Sequence, residues 1–339
     1  MNYIALLRKH FHKFLSIIGM EIIGGDWKTI LGIGLMFPWA TGYSVLPLIA
    51  YYVPNWQHLQ LVLSMPLPFF AIIYWFLPEC PRWLLTKGRT NEAKKILENA
   101  IRINGKIGSQ ELQLMDSNDT ENEQETKEES TIFDLIKTPN MRKITLIQWF
   151  NWFTVVLVYY GLTLNADSLI PGNVYINFSV GGLIEFPCYF LCILVLHYFG
   201  RRIPLALMFL STGLFLLMTL GIGDDQGQVL LTIITLGKAG IVCNSAIIYL
   251  QSAELFPTVV RSRGLSTCSI ISRIGSMSAP IIGRELNPVI VVIIFATLSV
   301  AAGIFTFMLP ETKGKKLPDT IADGEDLGKE DQSYFCWIN

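Results

Sequence analysis

Uncharged runs of about twenty residues alternate with short charged clusters along this chain. At 1.5 Å of rise per residue, such a run crosses a hydrocarbon core of about 30 Å as a helix. Eight stretches meet that length: Thr29–Tyr52, Leu59–Leu77, Ile144–Asn165, Val174–Leu196, Ile203–Ile222, Gln228–Leu250, Gly264–Gly283 and Asn287–Leu309. Phe14–Gly24 is about half a span. Prolines within the spans are compatible with helices, because neighbouring helices satisfy the freed carbonyls in a bundle. One span is set apart by Arg273 near its middle, in SRGLSTCSIISRIGSMSAPIIG. A charge halfway through a membrane helix costs roughly 3 to 10 kcal/mol and faces a bundle interior or a wet cavity. Arg273 is therefore expected to line a water-accessible pathway and to meet a partner or a ligand.

Lys and Arg in the connections set the orientation. They gather before the first full span (Lys28), in Pro78–Lys143, at Arg201–Arg202, at Arg261 and Arg263, and at Lys313–Lys316. The alternating connections Val53–His58, Ala166–Asn173 and Gly223–Gly227 carry almost none. The basic set is expected in the cytosol, and all eight spans agree. Arg284, beside Glu285, is the exception.

Pro78–Lys143 is the one large polar piece. Asn91–Asn104 places Ala93, Ile96, Leu97, Ala100 and Ile101 on one helix face before Gly105, an amphipathic helix with a fitting stop. Asp116–Ser130 is acidic and without apolar residues, the composition of a disordered tether. Thr131-Ile-Phe-Asp134 is expected to cap a short helix, Ile132–Lys137.

Spacing also suggests two parallel halves. Glu21 and Glu79 lie 58 residues apart, and Glu254 and Glu311 lie 57 apart, with two spans inside each interval. Lys28 and Arg261 each follow the first acid by seven residues, and both second acids sit in Leu-Pro-Glu. Such internal repeats build many transporters. Four spans precede Glu254 in its half, whereas about half a span precedes Glu21. The expectation is a first half short of about three and a half spans. The segments are then 1–77 (partial first half), 78–143 (cytosolic linker), 144–309 (complete six-helix half) and 310–339 (cytosolic tail).

Composition narrows the class. Of 339 residues, 51% are hydrophobic and 16% charged, against about 25% charged in soluble chains. The net charge of −1 gives no footprint for nucleic acid. The six cysteines form no CxxC pair, so neither a metal site nor a disulfide framework is expected. The basic N-terminus with its short apolar run lacks a cleavage site and is interrupted by Glu21, unlike a signal peptide. The glycosylation patterns at Asn118 and Asn177 fall in the linker and inside a span, and neither is expected to be used. No HExxH, GxSxG or paired-Asp arrangement points to an intramembrane enzyme, and no cofactor is expected. The oligomeric state is left open.

Five motifs occur in order: PECPRWLLTKGR (Pro78–Arg89), the stretch Gln148–Arg202 with its E-x-P and its GRR ending, GKAG (Gly237–Gly240), AELFPTVVRSRG (Ala253–Gly264) and PETKG (Pro310–Gly314). Together they resemble the organic cation, organic anion and carnitine transporters of the major facilitator superfamily, from about Glu21 to Gly314. The resemblance implies an all-α polytopic bundle, two six-helix halves, and a small organic ion held between them near mid-membrane. On that template the chain begins within the fourth helix and is N-terminally truncated. It also implies residence in the plasma membrane, with linker and tail cytosolic.

The resemblance assigns roles to particular residues. Glu185 matches the acid of the family's E-x-P motif, and Lys238 matches the cation of its G-K/R pair. Arg273 stands where anion and carnitine members carry Arg and cation members typically carry Asp. These three charges leave an excess of +1, which a carboxylate gripped by guanidinium would complete. The alternative is an internal ion pair of Glu185 with Lys238 or Arg273 that only holds helices together. Trp152, Tyr159 and Tyr160 are expected to border the solute, with Asn244 as a weaker polar contact, unless they serve ordinary packing. Gly200, Arg201, Arg202, Glu254 and Arg261, with Glu79 and Arg82 in the first half, are expected to gate the cytosolic side. His197 replaces the Asp of the family latch, which removes a charge or makes it pH-dependent. No phosphate-binding loop is present, so a uniporter or exchanger is expected. The opposing possibility is a non-transporting chain that at most associates with longer relatives.

Overall fold

The computed structural model describes residues 27–66, 90–104, 133–164, 173–222, 226–315, 317–318 and 320–327. Two compact units are distinguished, 53–129 and the remainder. All regular structure among the described residues is helical.

In the larger unit the helices are α1 (Trp27–Gly34) and α2 (Phe37–Tyr52). The smaller unit holds α3 (Trp56–Ser64) and α4 (Thr90–Asn104), the latter covering the expected amphipathic helix. The larger unit resumes with α5 (Asp134–Lys137), α6 (Pro139–Leu164), α7 (Val174–Leu183), α8 (Glu185–Phe199), α9 (Arg202–Thr219), α10 (Gly227–Leu255), α11 (Arg261–Glu285), α12 (Pro288–Thr306) and α13 (Ile321–Asp326). Asn55, Asn173 and Asn287 cap α3, α7 and α12 by accepting a backbone N–H, as short polar side chains do at helix starts.

Among the described residues, six helical segments are long and apolar enough to cross a membrane: Ile30–Tyr52, Pro139–Leu164, Tyr175–Phe199, Arg202–Thr219, Gly227–Leu255 and Pro288–Thr306. The expected span Leu59–Leu77 is described only as far as residue 66. α11 is 25 residues long but polar along one side, so its fit to a membrane depends on its neighbours.

Two expected spans are interrupted. α1 and α2 are separated at Leu35–Met36, and α7 and α8 at Ile184. In each case a proline follows by two or three residues, Pro38 and Pro187, and its missing N–H leaves a carbonyl one turn back without a helical donor. The second break places Glu185 at the first position of α8.

α6 is the hub. It packs most extensively on α11 and also against α10 and α12. Gly275 of α11 lies against the α6 backbone at Phe153 and Leu157. Polar side chains join the hub to its neighbours. Trp152 Nε1–H donates to Ser252 Oγ at 2.8 Å, Gln148 donates to Gln251 at 3.4 Å, and Asn151 Nδ2 donates to Thr306 Oγ1 at 2.9 Å. α9 packs between α10 and α12, α2 lies on α7, and α8 lies on α10 and α1.

The expected capping box of the linker helix rests on Thr131 and falls outside the described residues. α5 opens at Asp134 after Phe133, which makes no side-chain capping bond. A capping box does occur in the tail, where Thr320 and Asp323 satisfy each other's backbone at the start of α13. Described residues of the tail, expected from sequence only as a cytosolic tail, pack against the bundle. Glu325 accepts from Asn140 and Met141 backbone N–H at 3.0 and 3.1 Å, and Asn140 Nδ2 donates to Glu325 and Leu327 carbonyls. Thr258 N–H donates to Pro318 O at 3.0 Å.

Candidate functional site

Two groups of charged and aromatic residues meet the expected pathway chemistry, and they differ in how they are satisfied. In the first, Glu185 is fully buried at the start of α8. Tyr159 Oη–H of α6 donates to its Oε1 at 2.6 Å, and Tyr189 Oη–H donates to its Oε2 at 3.1 Å. Trp39 Nε1–H of α2 donates in turn to Tyr159 Oη at 2.9 Å. Beside it, Lys238 of α10 donates from Nζ to Tyr43 Oη at 2.7 Å and lies 4.6 Å from the centre of that ring. Glu185 and Lys238 act on each other electrostatically without direct contact, since each is capped by tyrosine. Gly181 makes the second contact possible. A Cβ there would lie 2.7 Å from Lys238 Nζ and 3.1 Å from Tyr43 Oη. Phe37 closes the cluster with rings 5.2 to 5.9 Å from Phe186, Tyr189 and Phe190.

In the second group, Arg273 of α11 is exposed. Among the described residues no carboxylate is within ion-pair distance of its guanidinium. Helical periodicity divides α11 into three faces. Gly264, Cys268, Ser272, Gly275 and Ala279 are buried. Ile270, Ile274, Met277 and Ile281 are exposed and apolar, a face suited to lipid. Ser262, Ser266, Arg273 and Ser276 form a polar stripe between these two. Tyr249 of α10, 42% exposed, lies within electrostatic range of Arg273 and Tyr160. The Trp152 ring stands edge-on to Tyr249 at 4.4 Å, and Tyr160 edge-on to Tyr159 at 5.4 Å.

The sequence matches the family model described as sugar (and other) transporter over residues 27–321. The chain belongs to that transporter family. It is therefore a multi-pass membrane protein. It is 38% identical over 323 residues to solute carrier family 22 member 3 of Mus musculus, covering 94% of this chain and 57% of the relative. It is 35% identical to the organic cation transporter protein of Drosophila melanogaster, covering 93% and 59%. Human solute carrier family 22 member 2 is 34% identical, covering 91% and 55%. The chain thus spans little more than half the length of these relatives, and their group is the one its motifs resemble. A proton:xylose symporter bound to 6-bromo-6-deoxy-D-glucose shares the fold, with a TM-score of 0.68 at 15% identity over 89% of this chain and 68% of that one.

Within this transporter fold, the residues singled out by sequence divide into several places. Tyr159, Glu185 and Lys238 come together in the closed cluster. Tyr160 and Arg273 border the open face. Trp152 is 2% exposed and meets Tyr249 of that face edge-on. Asn244 is fully buried with its amide turned to α9, where it donates to Leu205 O at 3.0 Å and accepts from Phe209 N–H at 3.1 Å. Glu79 and Arg82 lie outside the described residues.

The loop residues converge at the end of the bundle formed by the α8–α9 and α10–α11 connections. Arg201 Nε meets Glu254 Oε2 at 3.2 Å, with both side chains only 13% and 15% exposed. Thr312 Oγ1–H also donates to Glu254. Arg261 Nε donates to the Phe256 carbonyl at 3.1 Å. Glu311 accepts from Arg201 and Arg202 backbone N–H at 2.9 and 3.0 Å, closing the open donors at the start of α9. Gly200 permits this with φ +85°, and a Cβ there would lie 2.8 Å from the Glu311 carboxyl. Lys313 Nζ donates to the His197 and Tyr198 carbonyls at the end of α8, where a cation suits the helix dipole. His197 itself is exposed at that end.

Sequence reasoning missed Trp39, Tyr43 and Tyr249. Trp39 and Tyr43 are four apart on one helix face, and Tyr249 is five residues before Glu254 in α10. These spacings were visible, but aromatics are common in membrane helices, and only tertiary contact distinguishes a partner to a buried charge.

Proposed function

We propose that the chain carries the solute-contacting half of a secondary-active or facilitative transporter of small organic ions, working by alternating access in the plasma membrane with linker and tail cytosolic. Arg273 grips the carboxylate of an organic anion or of a zwitterion such as carnitine. Tyr249 and Tyr160 border the organic part, with Trp152 holding Tyr249 in place. The exposed Arg273 guanidinium, on a polar stripe and without a carboxylate partner among the described residues, carries this reading. Glu185 and Lys238 sit behind, already satisfied by tyrosines. The open face supports a further expectation, that the 339 residues expressed alone transport weakly or not at all.

A second cargo class has its own support. The Drosophila relative is named an organic cation transporter, and aromatic faces attract organic cations by about 0.5 to 2 kcal/mol each. The test is uptake of labelled carnitine and labelled tetraethylammonium in two settings. One uses cells expressing only this chain, and the other a chimera in which residues 27–327 replace the matching part of the mouse relative. Saturable carnitine uptake by the chimera that Arg273→Asp abolishes supports the first reading. Tetraethylammonium uptake indifferent to Arg273→Asp supports the second. No uptake of either ion by an expressed chimera favours a non-transporting chain.

A further inference from the structure

Arg284 is the exception to the charge asymmetry of the connections, and the site described above makes no use of it. On the orientation proposed for the chain, four connections between spans share the outer side. Val53–His58, Ala166–Asn173 and Gly223–Gly227 hold three Asp and no Lys or Arg. The fourth joins α11 to α12, and Arg284 stands at its edge in the last turn of α11.

The helix fixes where Arg284 faces. It lies eleven residues beyond Arg273, which is three turns and about 20° of rotation, with a rise of about 16 Å. The two guanidinium groups therefore share the polar stripe of α11, and both residues are exposed. Glu285 is turned by about 100° from Arg284, toward the Ile274 and Ile281 face, and adjacent helical residues do not face each other. Among the described residues the Arg284 guanidinium makes no hydrogen bond or ion pair. The interval between the two cations is also polar. Ser276 Oγ–H donates to the Arg273 carbonyl at 2.9 Å. Pro280 lies inside α11 four residues later, and its missing N–H leaves the Ser276 carbonyl without a helical donor. Such a carbonyl takes its hydrogen bond from water or solute, which keeps the stripe hydrated between Arg273 and Arg284.

We infer that Arg284 is a charge filter at the outer entrance, favouring the arrival of carboxylate-bearing solutes at Arg273 over the arrival of organic cations. The filter rests on the reading of Arg273 given above and adds the residue that selects what reaches it. Acidic connections alone draw cations toward the entrance and repel carboxylates. A guanidinium at the edge of that entrance, on the same stripe as the binding cation, reverses the local sign. Exposure suits this task, because exposed ion pairs are weak and an anion drawn to Arg284 is not trapped there. A cation at the end of α11 also suits the helix dipole. That role by itself would not change which ion reaches the stripe, so the two can be told apart.

The experiment uses two labelling reagents as the arriving organic ions. Ser276→Cys, in the full chain with Cys80 and Cys336 replaced by Ser, is labelled in membranes with an anionic sulfonate methanethiosulfonate and separately with a cationic trimethylammonium one. Rates in the same chain without Ser276→Cys are subtracted. The ratio of anion to cation rates is read at about 10 mM ionic strength, where the Debye length is about 30 Å. Residue 276 lies eight residues, about 12 Å, from Arg284. Arg284→Gln is expected to lower the ratio about twofold to fivefold, the range for one charge at that distance, and about 1 M salt should erase the difference. Arg284→Lys keeps the charge and should keep the ratio. Folding of each variant is checked by a monodisperse elution profile in detergent. A ratio that Arg284→Gln leaves unchanged overturns the filter and leaves the reading of Arg273 standing. A fall that Arg284→Lys shares overturns it too, since the cause is then helix geometry rather than charge. Absence of labelling by either reagent overturns both readings, because the stripe is then dry.

Discussion

The closed cluster and the open face hold the same kind of group, an ion placed inside a membrane bundle, under opposite conditions. Glu185 and Lys238 are buried, with two tyrosine hydroxyls within 3.1 Å of the first and one at 2.7 Å from the second. Arg273 is exposed beside Tyr249, and among the described residues no carboxylate pairs with it. A satisfied internal ion is part of the scaffold, and removing its partner mainly affects stability or the position of a helix. An ion left open to a polar face gains its partner from outside, and replacing it mainly affects what is bound.

The largest expected effect separates the two regions. In the chimera, Arg273→Asp should lower carnitine uptake by about tenfold to a hundredfold, the range for losing one or two hydrogen bonds between charged groups. Glu185→Gln should instead change uptake by only a few-fold, while lowering thermal stability in detergent by about 1 to 3 kcal/mol as two charge-assisted hydrogen bonds weaken. If Glu185→Gln proves the more damaging to uptake and leaves stability intact, the division between scaffold and binding charge is wrong.

A second contrast lies at the loop end, where charges are paired within the protein. Gly200→Ala forces an L-residue into positive φ and drives its methyl toward Glu311, and it should cost about 2 to 3 kcal/mol of stability. A thermal midpoint equal to the parent's would show that Glu311 does not hold the start of α9. Asn140→Ala should loosen α13, seen as faster amide hydrogen exchange across residues 320–327, with an expected cost of about 1 to 2 kcal/mol. The smallest effect is expected from Trp152→Phe. It loses the bond to Ser252 but keeps an aromatic ring beside Tyr249, so stability should fall by about 1 kcal/mol and uptake should barely change.

Much of the bundle was legible in the chain because lipid imposes length and apolarity on every span. The family was legible from motifs whose order matters more than any one of them. The breaks at Leu35–Met36 and Ile184 were hidden behind continuous apolar runs, although Pro38 and Pro187 carried their cause. Among candidate site residues, the three charges Glu185, Lys238 and Arg273 stood out in the sequence because charge is rare inside such apolar runs. Of their partners, Tyr159 was singled out only as a border to the solute, Tyr43 comes from another helix, and Tyr189, four residues after Glu185 on α8, looked like one more membrane aromatic. The packed tail was missed for a related reason. Glu325 and Asn140 are 185 residues apart, and in the chain each looks like an ordinary surface residue.

The central claim is that Arg273 faces water and solute rather than lipid. It is tested most directly by Arg273→Cys in this chain, labelled in membranes with a charged, hydrophilic methanethiosulfonate. Ile274→Cys, on the apolar face of the same helix, serves as the comparison. Rapid labelling at residue 273, slowed by millimolar carnitine, with little at residue 274, is the predicted result. Labelling at 273 no faster than at 274, or at 273 only by a lipid-soluble maleimide, would contradict the account.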